Sequence, residues 1–182
     1  MQKTIKENTS AEIVEKKSKF IANLFYVQNE KDVEEIIKKT KKKYFDARHN
    51  CYAYNLMTKN GLIAKFSDDG EPSGTAGAPM LNILQKNDIV NVLVIVTRYF
   101  GGILLGTGGL VRAYSEALNE AIEKAQFVNE EFGYEVQVTI DYNEKEKFEY
   151  FCKQNKINII NIEYYDKINY TIEMNNEEKE EF

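Results

Sequence analysis

The sequence predicts an α+β fold divided into two units, and three observations lead to this prediction. Segments with the periodicity of strands and helices alternate along the chain. Residues 1–129 carry 18 Lys and Arg against 15 Asp and Glu, whereas residues 130–182 carry 6 against 14. A new run of strand pattern begins at Tyr134. We therefore expect one α/β unit over residues 1–129 and a smaller unit over residues 133–182.

The first unit is expected to open with two short strands and a helix. The strand patterns cover about Glu12–Val14 and Lys19–Val27. The helix is predicted from about Glu30 to Lys43, with Asn29 as its cap. Acidic residues in its first turn and lysines in its last turn both agree with the helix dipole.

A hairpin, a loop, a helix and a central strand are predicted next. The runs Cys51–Thr58 and Gly61–Ser67 flank a Lys-Asn-Gly turn, which is a hairpin signal. The segment "DDGEPSGTAGAP" interrupts all periodicity, and a helix through Met80 then ends near Asn87. The run "IVNVLVIVT" is continuously apolar and β-branched, as expected of a central strand covered on both faces.

The last helix of the first unit is expected over Leu110–Ala125, directly after a glycine-rich joint. The second unit then reads β-α-β-β, with strands at Tyr134–Ile140, Ile157–Tyr165 and Asn169–Met174 and a helix that opens at Asn143. This is the order of a ferredoxin-like fold, whose closing helix and strand need about 16 more residues. Only "NNEEKEEF" follows Met174, so we expect those last two elements to be absent.

Composition limits the functional classes. No apolar run reaches the roughly 20 residues that a membrane span needs, and the first residues lack the apolar stretch of a signal peptide, so a cytoplasmic protein is expected. Two cysteines, Cys51 and Cys152, are too few for a disulfide scaffold and too distant for zinc, so both are expected to be reduced and buried. The acidic second unit is a poor partner for phosphates.

Unusual residue types are concentrated in one part of the first unit. The chain has 21 Lys and only 3 Arg, and Arg48, Arg98 and Arg112 all fall within residues 46–114. Eight of the ten glycines lie between Gly70 and Gly109. Because a guanidinium pairs with phosphates or carboxylates in a fixed planar geometry, this restriction indicates either a phosphate site or internal ion pairs with nearby acids.

The glycine-rich joint "GGILLGTGGL" leaves two interpretations open. At the transition from a strand to a helix, free amides from Thr107 to Leu110 could face an anion that Arg98 or Arg112 helps to hold, with Thr107 as a cap. Alternatively, the glycines only allow a sharp corner and close packing. The joint lacks the Lys-Ser/Thr ending of a phosphate-binding P-loop and the spacing of a dinucleotide fingerprint.

Catalytic residues are sparse. His49 lies near Asp46 and could act as a general base, but the chain contains a single histidine and no nucleophile motif around Ser73. Asp68 and its neighbours could bind Mg²⁺, although acids in such a loop usually form turns or pair with arginine. We therefore expect no metal, no cofactor and no enzymatic activity, with a phosphate-ligand enzyme as the least favoured alternative.

Three blocks of the sequence carry a resemblance to a known family: "DARHNCYAY", "FSDDGEPSGTAGAPML" and "VTRYFGGILLGTGGLVRAYSEA". In order and spacing they resemble the IMPACT family, over about Lys16–Ala121. The resemblance implies a first domain like domain 2 of ribosomal protein S5. It also implies a ferredoxin-like second domain, similar to the last domain of a translocase elongation factor. Eukaryotic members are implied to damp the amino-acid-starvation kinase pathway by competing for its ribosome-associated activator.

The leading functional hypothesis is a non-enzymatic module that contacts RNA or the ribosome and regulates translation, with lysines 41–43 and the arginines on phosphates. The alternative is a module that docks on a translation-linked protein. Both hypotheses use the same residues, which we expect to surround one concavity. The predicted anion or RNA site comprises Arg48, His49, Arg98, Tyr99, Phe100, Gly101, Gly102, Gly106, Thr107, Gly108, Gly109 and Arg112. The supporting acidic loop comprises Asp46, Asp68, Asp69, Glu71 and Ser73.

Overall fold

The computed structural model describes residues 1–130 and 133–174. Within it the chain divides into two units, Met1–Glu130 and Glu131–Phe182. The described strands of the two units belong to different sheets. The expected absence of a closing helix and strand concerns residues 175–182, which lie outside the described residues.

The first unit contains seven strands and three helices among its described residues, and the predicted α+β class is confirmed. Its elements in chain order are β1 (Lys3–Ile5), β2 (Thr9–Glu15), β3 (Ser18–Tyr26), α1 (Glu30–Lys43), β4 (His49–Thr58), β5 (Gly61–Ser67), α2 (Gly77–Lys86), β6 (Val92–Tyr99), α3 (Gly106–Lys124) and β7 (Phe127–Asn129).

Five of these strands form one antiparallel sheet in the order β2-β3-β6-β4-β5. Strand β6 lies at its centre, as its continuous apolar run predicts, and seven of its eight residues are buried. Helices α2 and α3 cover one face with the larger core, and α1 covers the other face with a smaller core around Val33, Leu93 and Ile95. Alternate residues of the central strand β6 therefore point toward different helices.

Several local predictions are confirmed. Asn29 Oδ1 accepts a hydrogen bond of 2.9 Å from the backbone N–H of Asp32 and so caps α1. Strands β4 and β5 form the predicted hairpin. Both cysteines, Cys51 and Cys152, are free and buried.

Helix α3 begins at Gly106, four residues before the predicted start at Leu110. Glycine is a poor helix former. Because three of the first four residues of α3 are glycines, helix propensity does not predict its first turn. The N-cap is Leu105, which makes no side-chain capping bond. The prediction that Thr107 caps the helix is therefore wrong, since Thr107 is already inside it.

Two short strands, β1 and β7, were not predicted from the sequence. Strand β1 pairs antiparallel with β7, with Lys3 opposite Asn129 and Ile5 opposite Phe127. Each strand has three residues, which is too short for a period of two to be recognised. The pair joins the two ends of the first unit.

The second unit has the predicted β-α-β-β order. Its elements are β8 (Tyr134–Ile140), a one-turn 3₁₀ helix (Tyr142–Glu144), α4 (Lys145–Gln154), β9 (Asn158–Tyr164) and β10 (Ile168–Met174). The sheet order is β8-β10-β9, and both pairings are antiparallel, so β8 and β9 run parallel with β10 between them. This split β-α-β arrangement is compatible with a ferredoxin-like fold.

Candidate functional site

The centre of the candidate site is an ion pair between Arg98 and Glu71. Arg98 Nη1 donates to Glu71 Oε1 over 2.7 Å, and both side chains are almost fully buried, at 7% and 3% exposure. The guanidinium also lies 5.6 Å from the ring centres of Phe20 and of Phe100, which adds cation–π attraction. Arg98 Nε is buried and has no hydrogen-bond partner among the described residues. Arg98 therefore lies in an internal ion pair, which is the second of the two alternatives that the sequence leaves open.

His49 lies beside this pair because it is opposite Arg98 in the register between β4 and β6. Its Nδ1 is 2.9 Å from the backbone carbonyl oxygen of Asp69. Since a carbonyl oxygen only accepts, Nδ1 carries the hydrogen of the neutral ring and Nε2 is left with its lone pair. Nε2 lies 3.9 Å from Glu71 Oε2, beyond hydrogen-bond distance.

Two further side chains join the cluster from the core. The Tyr114 hydroxyl of α3 donates to Glu71 Oε1 over 2.8 Å. The Cys51 thiol of β4 lies 3.0 Å from the carbonyl oxygen of Asp68 and 3.3 Å from the Tyr114 hydroxyl, and can donate its hydrogen to either. Burial raises the pKa of Cys51 to about 12. Burial, followed by the proximity of Cys51, also raises the pKa of Tyr114 above its ordinary range. Both groups therefore stay protonated at neutral pH.

The other acids of this loop hold the backbone. Asp68 accepts hydrogen bonds from the backbone N–H groups of Gly74, Ala76 and Gly77, and so fastens the loop to the start of α2. Asp69 accepts from the backbone N–H of Asn50 over 2.7 Å, and its other oxygen pairs with Lys41 over 2.6 Å. The alternative in which these acids form turns and pair with cations is the one observed. Ser73 is exposed in the same loop.

The glycine-rich joint combines a close approach with a helix start. A Cβ on Gly101 would lie 2.0 Å from the carbonyl carbon and oxygen of Lys17, so only glycine fits there. Gly102 and Gly106 have positive φ and also favour glycine. Gly108 and Gly109 lie in the first turn of α3 without positive φ, so their backbone conformation does not require glycine.

Four of the predicted contact residues lie outside the buried cluster. Tyr99 follows Arg98 and so points to the opposite face of the sheet, where its hydroxyl donates to Asp46 Oδ1 over 2.8 Å. Phe100 is half exposed, at 51%. Arg48 is exposed immediately before β4. Arg112 is exposed on α3 and lines a cavity of about 260 Å³ next to Lys16.

The three sequence blocks therefore meet, but only part of the predicted set is gathered. Asp69, Glu71 and Arg98 come together with His49, whereas Arg48 and Arg112 make none of the contacts of this cluster. Sequence reasoning missed two further side chains of the cluster, because Cys51 begins a predicted strand and Tyr114 lies within the helix predicted over Leu110–Ala125. The available signal was a tyrosine within an apolar helix, because the hydroxyl of a buried tyrosine needs a hydrogen-bond partner.

Two observations on the described residues concern metals and membranes. Among residues 1–130 and 133–174, no three His, Cys, Asp or Glu side chains are arranged to hold a metal ion. Within the same residues, no helix combines the length and the apolar character needed to cross a membrane.

Comparison with known proteins follows the same division of the chain. Residues 16–122 match the family model of the Impact N-terminal domain, and residues 138–182 match a domain of unknown function, DUF1949. The chain is 40% identical over 167 residues to "IMPACT family member YvyE" of Bacillus subtilis, covering 92% of this chain and 76% of that protein. It is 41% identical over 110 residues to "IMPACT family member YigZ" of Escherichia coli, covering 60% and 54%.

A solved structure shares the fold of this chain. The crystal structure of a hypothetical protein aligns with a TM-score of 0.69 and 31% identity, covering 96% of this chain and 86% of that chain. The family match spans more than half of the sequence and includes all three blocks around the Arg98–Glu71 cluster. The chain therefore belongs to the IMPACT family.

Proposed function

We propose that this protein is a non-enzymatic factor in translation regulation that binds RNA, either free or in the ribosome, through an exposed basic surface of its first unit. This basic surface consists of Lys41, Lys42 and Lys43 at the end of α1, together with Phe45 and Arg48. The family relationship supports the link to translation, and the surface supports the link to RNA.

The observation that carries the proposal is the contrast between this surface and the buried cluster. Arg98 is buried in an ion pair with Glu71. Three other cations, Lys42, Lys43 and Arg48, are exposed and make no ion pair with any described carboxylate. Phe45 is 83% exposed between them, as expected of a side chain on which a base can stack. The bond between Tyr99 and Asp46 holds this loop against the end of β6. Exposed cations beside an exposed aromatic ring are the usual features of a surface for single-stranded RNA.

The absence of catalysis is part of the proposal. A hydrolase would need an activated nucleophile, and the Cys51 thiol is buried with its pKa raised to about 12. Exposed Ser73 has no histidine partner among its described contacts, since His49 faces Asp69 and Glu71. We expect no turnover of ATP, peptides or phosphoesters. Reproducible turnover that His49→Ala abolishes would contradict this part.

The test is RNA affinity as a function of salt. For the triple variant Lys42→Gln, Lys43→Gln, Arg48→Gln, we expect weaker binding to a single-stranded RNA and a salt slope smaller by about 2, since each phosphate contact contributes about 0.7. The matched control removes three exposed lysines elsewhere, Lys59, Lys86 and Lys124. Equal affinities and slopes for the two triple variants would refute the basic surface.

A second candidate function is docking on a protein, and one observation favours it. The glycine-rich joint exposes three apolar side chains, Phe100 at 51%, Ile103 at 42% and Leu104 at 82%. Exposed apolar residues in one loop are typical of anchors for protein partners. Capture of a protein from nuclease-treated lysate that Leu104→Asp abolishes and high salt does not weaken would favour this function over RNA binding.

A further inference from the structure

Strand β5 forms one edge of the five-stranded sheet, and the side chains along this edge are mostly apolar. Phe66 lies opposite Ala53, a residue of the core beneath α2 and α3. Leu62, Ala64 and Phe66 therefore share the α2 face of the strand. Leu62 is 50% exposed and Phe66 is 47% exposed. An exposed, apolar edge strand is a template on which another strand can pair.

The backbone groups on the outer side of β5 are open to such a strand. Thr58 and Gly61 are paired across a two-residue turn, so their backbone groups bond to each other. Hydrogen-bonded pairs alternate along an antiparallel ladder, so every second residue from Gly61 to Ser67 bonds to β4. Residues 62, 64 and 66 therefore turn their N–H and C=O groups away from the sheet. No described residue forms a hydrogen bond with these groups.

The sequence of β5 is complementary to itself in one antiparallel register. With Ala64 opposite Ala64 of a second copy, Leu62 lies opposite Phe66 and Ile63 lies opposite Lys65. The outward residues of the two copies then meet as hydrogen-bonded pairs, which satisfies their open N–H and C=O groups. The half-exposed side chains of Leu62 and Phe66 cover each other, and such aromatic–aliphatic cross-strand pairs stabilise a sheet. Lys65 is the only charged residue of β5, and it forms an ion pair with Glu30, so no like charges are opposed.

The other edge of the same sheet, β2, is not complementary to itself. Glu15 and Ser18 pair across the two-residue turn between β2 and β3, so residues 10, 12 and 14 are the outward ones. The register that pairs the whole of β2 with a second copy places Glu12 directly opposite Glu12. Like charges in direct opposition destabilise a strand pair. Glu12 therefore protects β2 against self-pairing, whereas β5 has no charge at the equivalent central position, Ala64.

We propose that the β5 edge is a homodimer interface, in which β5 of two copies of this chain pair antiparallel about a two-fold axis at Ala64. A two-fold interface uses the same patch on both copies, so it requires a surface that is complementary to itself. One strand pair is a small interface, and the dimer therefore dissociates on dilution. The interface shares no residue with the basic surface, so it does not depend on the proposed function.

The first experiment is sedimentation equilibrium of the full chain over a range of concentrations. The parent is expected to pass from the mass of one chain to the mass of two as its concentration rises. Ala64→Glu places two carboxylates opposite each other at the axis and is expected to raise the dissociation constant at least about tenfold. Ser10→Glu is the matched control, since Ser10 is an exposed outward residue of the β2 edge. Equal dissociation constants for the two variants would overturn the proposal.

The second experiment tests the two-fold axis and separates association from folding. Ala64→Lys alone should also be monomeric, because two ammonium groups then oppose each other. An equimolar mixture of Ala64→Glu and Ala64→Lys should restore the dimer, because opposite charges then meet at the axis. Ala64 is exposed, so both variants are expected to fold, and circular dichroism of each variant alone checks this. Two folded variants that fail to associate when mixed would contradict the proposed register.

The alternative occupant of this edge is an extended segment of another protein. Such a segment would not bring residue 64 opposite itself, so it predicts no association of the chain with itself and no rescue by mixing the two charged variants. A parent that stays monomeric at every concentration would therefore refute the second copy and leave the edge to a strand of another protein.

Discussion

At the scale of single residues, two arginines that look alike in the sequence have opposite surroundings. Arg98 is 6% exposed and paired with Glu71, whereas Arg48 is exposed. Arg98 ends up inside because it follows Val92, Val94 and Val96 on the α2 and α3 face of the central strand. A guanidinium at this position requires a carboxylate, and the loop after β5 supplies it.

Removal of the Glu71 carboxylate should lower the stability of the folded protein. We expect Glu71→Gln to lower the free energy of unfolding by about 3 kcal/mol, because it leaves the Arg98 charge buried without a counter-ion. Adding Arg98→Met to this variant should restore part of the loss, since no unpaired charge then remains. Urea unfolding of the parent and of these two variants provides the measurement.

The control for the Glu71 variant is an exposed ion pair of the same unit. Glu12 and Lys19 lie 2.9 Å apart with 47% and 43% of their side chains exposed. Glu12→Gln should cost less than about 1 kcal/mol. Similar losses for Glu12→Gln and Glu71→Gln would contradict the structural role assigned to the buried pair.

Cys51 predicts a dependence of stability on pH. Burial raises the pKa of its thiol from 9.0 to about 12, so the folded state holds this proton more tightly than the unfolded state. The resulting stability is fully present below pH 9 and is lost as the pH rises toward 12. The decline is at most about 1.4 kcal/mol per pH unit.

The measurement is urea unfolding at pH 8, 9 and 10 under reducing conditions. Cys51→Ala should be less stable at pH 8 because of the cavity it creates, but its stability should change less between pH 9 and 10 than that of the parent. This window lies at or below the ordinary pKa of tyrosine, so buried tyrosines contribute less to it. Parallel curves for parent and variant would contradict the assignment to Cys51.

At the scale of elements, the glycine-rich joint contains glycines with different requirements. Gly101 must approach Lys17 closely, whereas a Cβ on Gly108 would meet no atom within 4 Å. The first position is set by a steric contact with the turn between β2 and β3. The second is an open position in the first turn of α3.

The two glycines should therefore respond to alanine in opposite directions. We expect Gly101→Ala to destabilise the protein by more than about 3 kcal/mol, since its Cβ would overlap the backbone of Lys17. Gly108→Ala should stabilise it by about 0.4–1 kcal/mol, through better helix propensity and a less flexible unfolded chain. Urea unfolding of both variants is the test, and destabilisation of similar size in both would contradict the structure.

The elements show what the sequence can and cannot predict. Strand β6 and helix α1 are long and periodic, and their positions follow from pattern and capping alone. The start of α3 could not be predicted from helix propensity, because tertiary contacts hold glycines of low propensity in its first turn. The meeting of three sequence blocks was predictable from the clustering of rare residues. The sequence did not predict which arginine is buried. This depends on which face of β6 residue 98 occupies, and the alternation pattern of a fully buried strand does not show it.

At the scale of the whole molecule, charge divides with the units. Residues 1–130 contain 18 Lys and Arg and 16 Asp and Glu, whereas residues 131–182 contain 6 and 13. The first unit also has two hydrophobic cores of its own. It therefore has the internal packing expected of a piece that folds by itself.

This division predicts the behaviour of the isolated first unit. We expect residues 1–130 to bind heparin or poly-uridylate more tightly than the full chain at low salt, because the acidic second unit no longer repels the polyanion. The difference should disappear near 1 M salt, where the Debye length is about 3 Å. Elution from a heparin column at graded salt is the measurement, and identical elution of the two proteins would contradict it.

The pairing of β1 with β7 has consequences for folding during synthesis and for circular permutation of the first unit. Since Lys3 lies opposite Asn129, this ladder closes only after residue 129 has emerged during synthesis, whereas β2 to β6 can pair earlier. It also places the two ends of the first unit side by side. A circular permutant that joins these ends and opens at the Lys59–Asn60 turn would keep every strand of the unit intact.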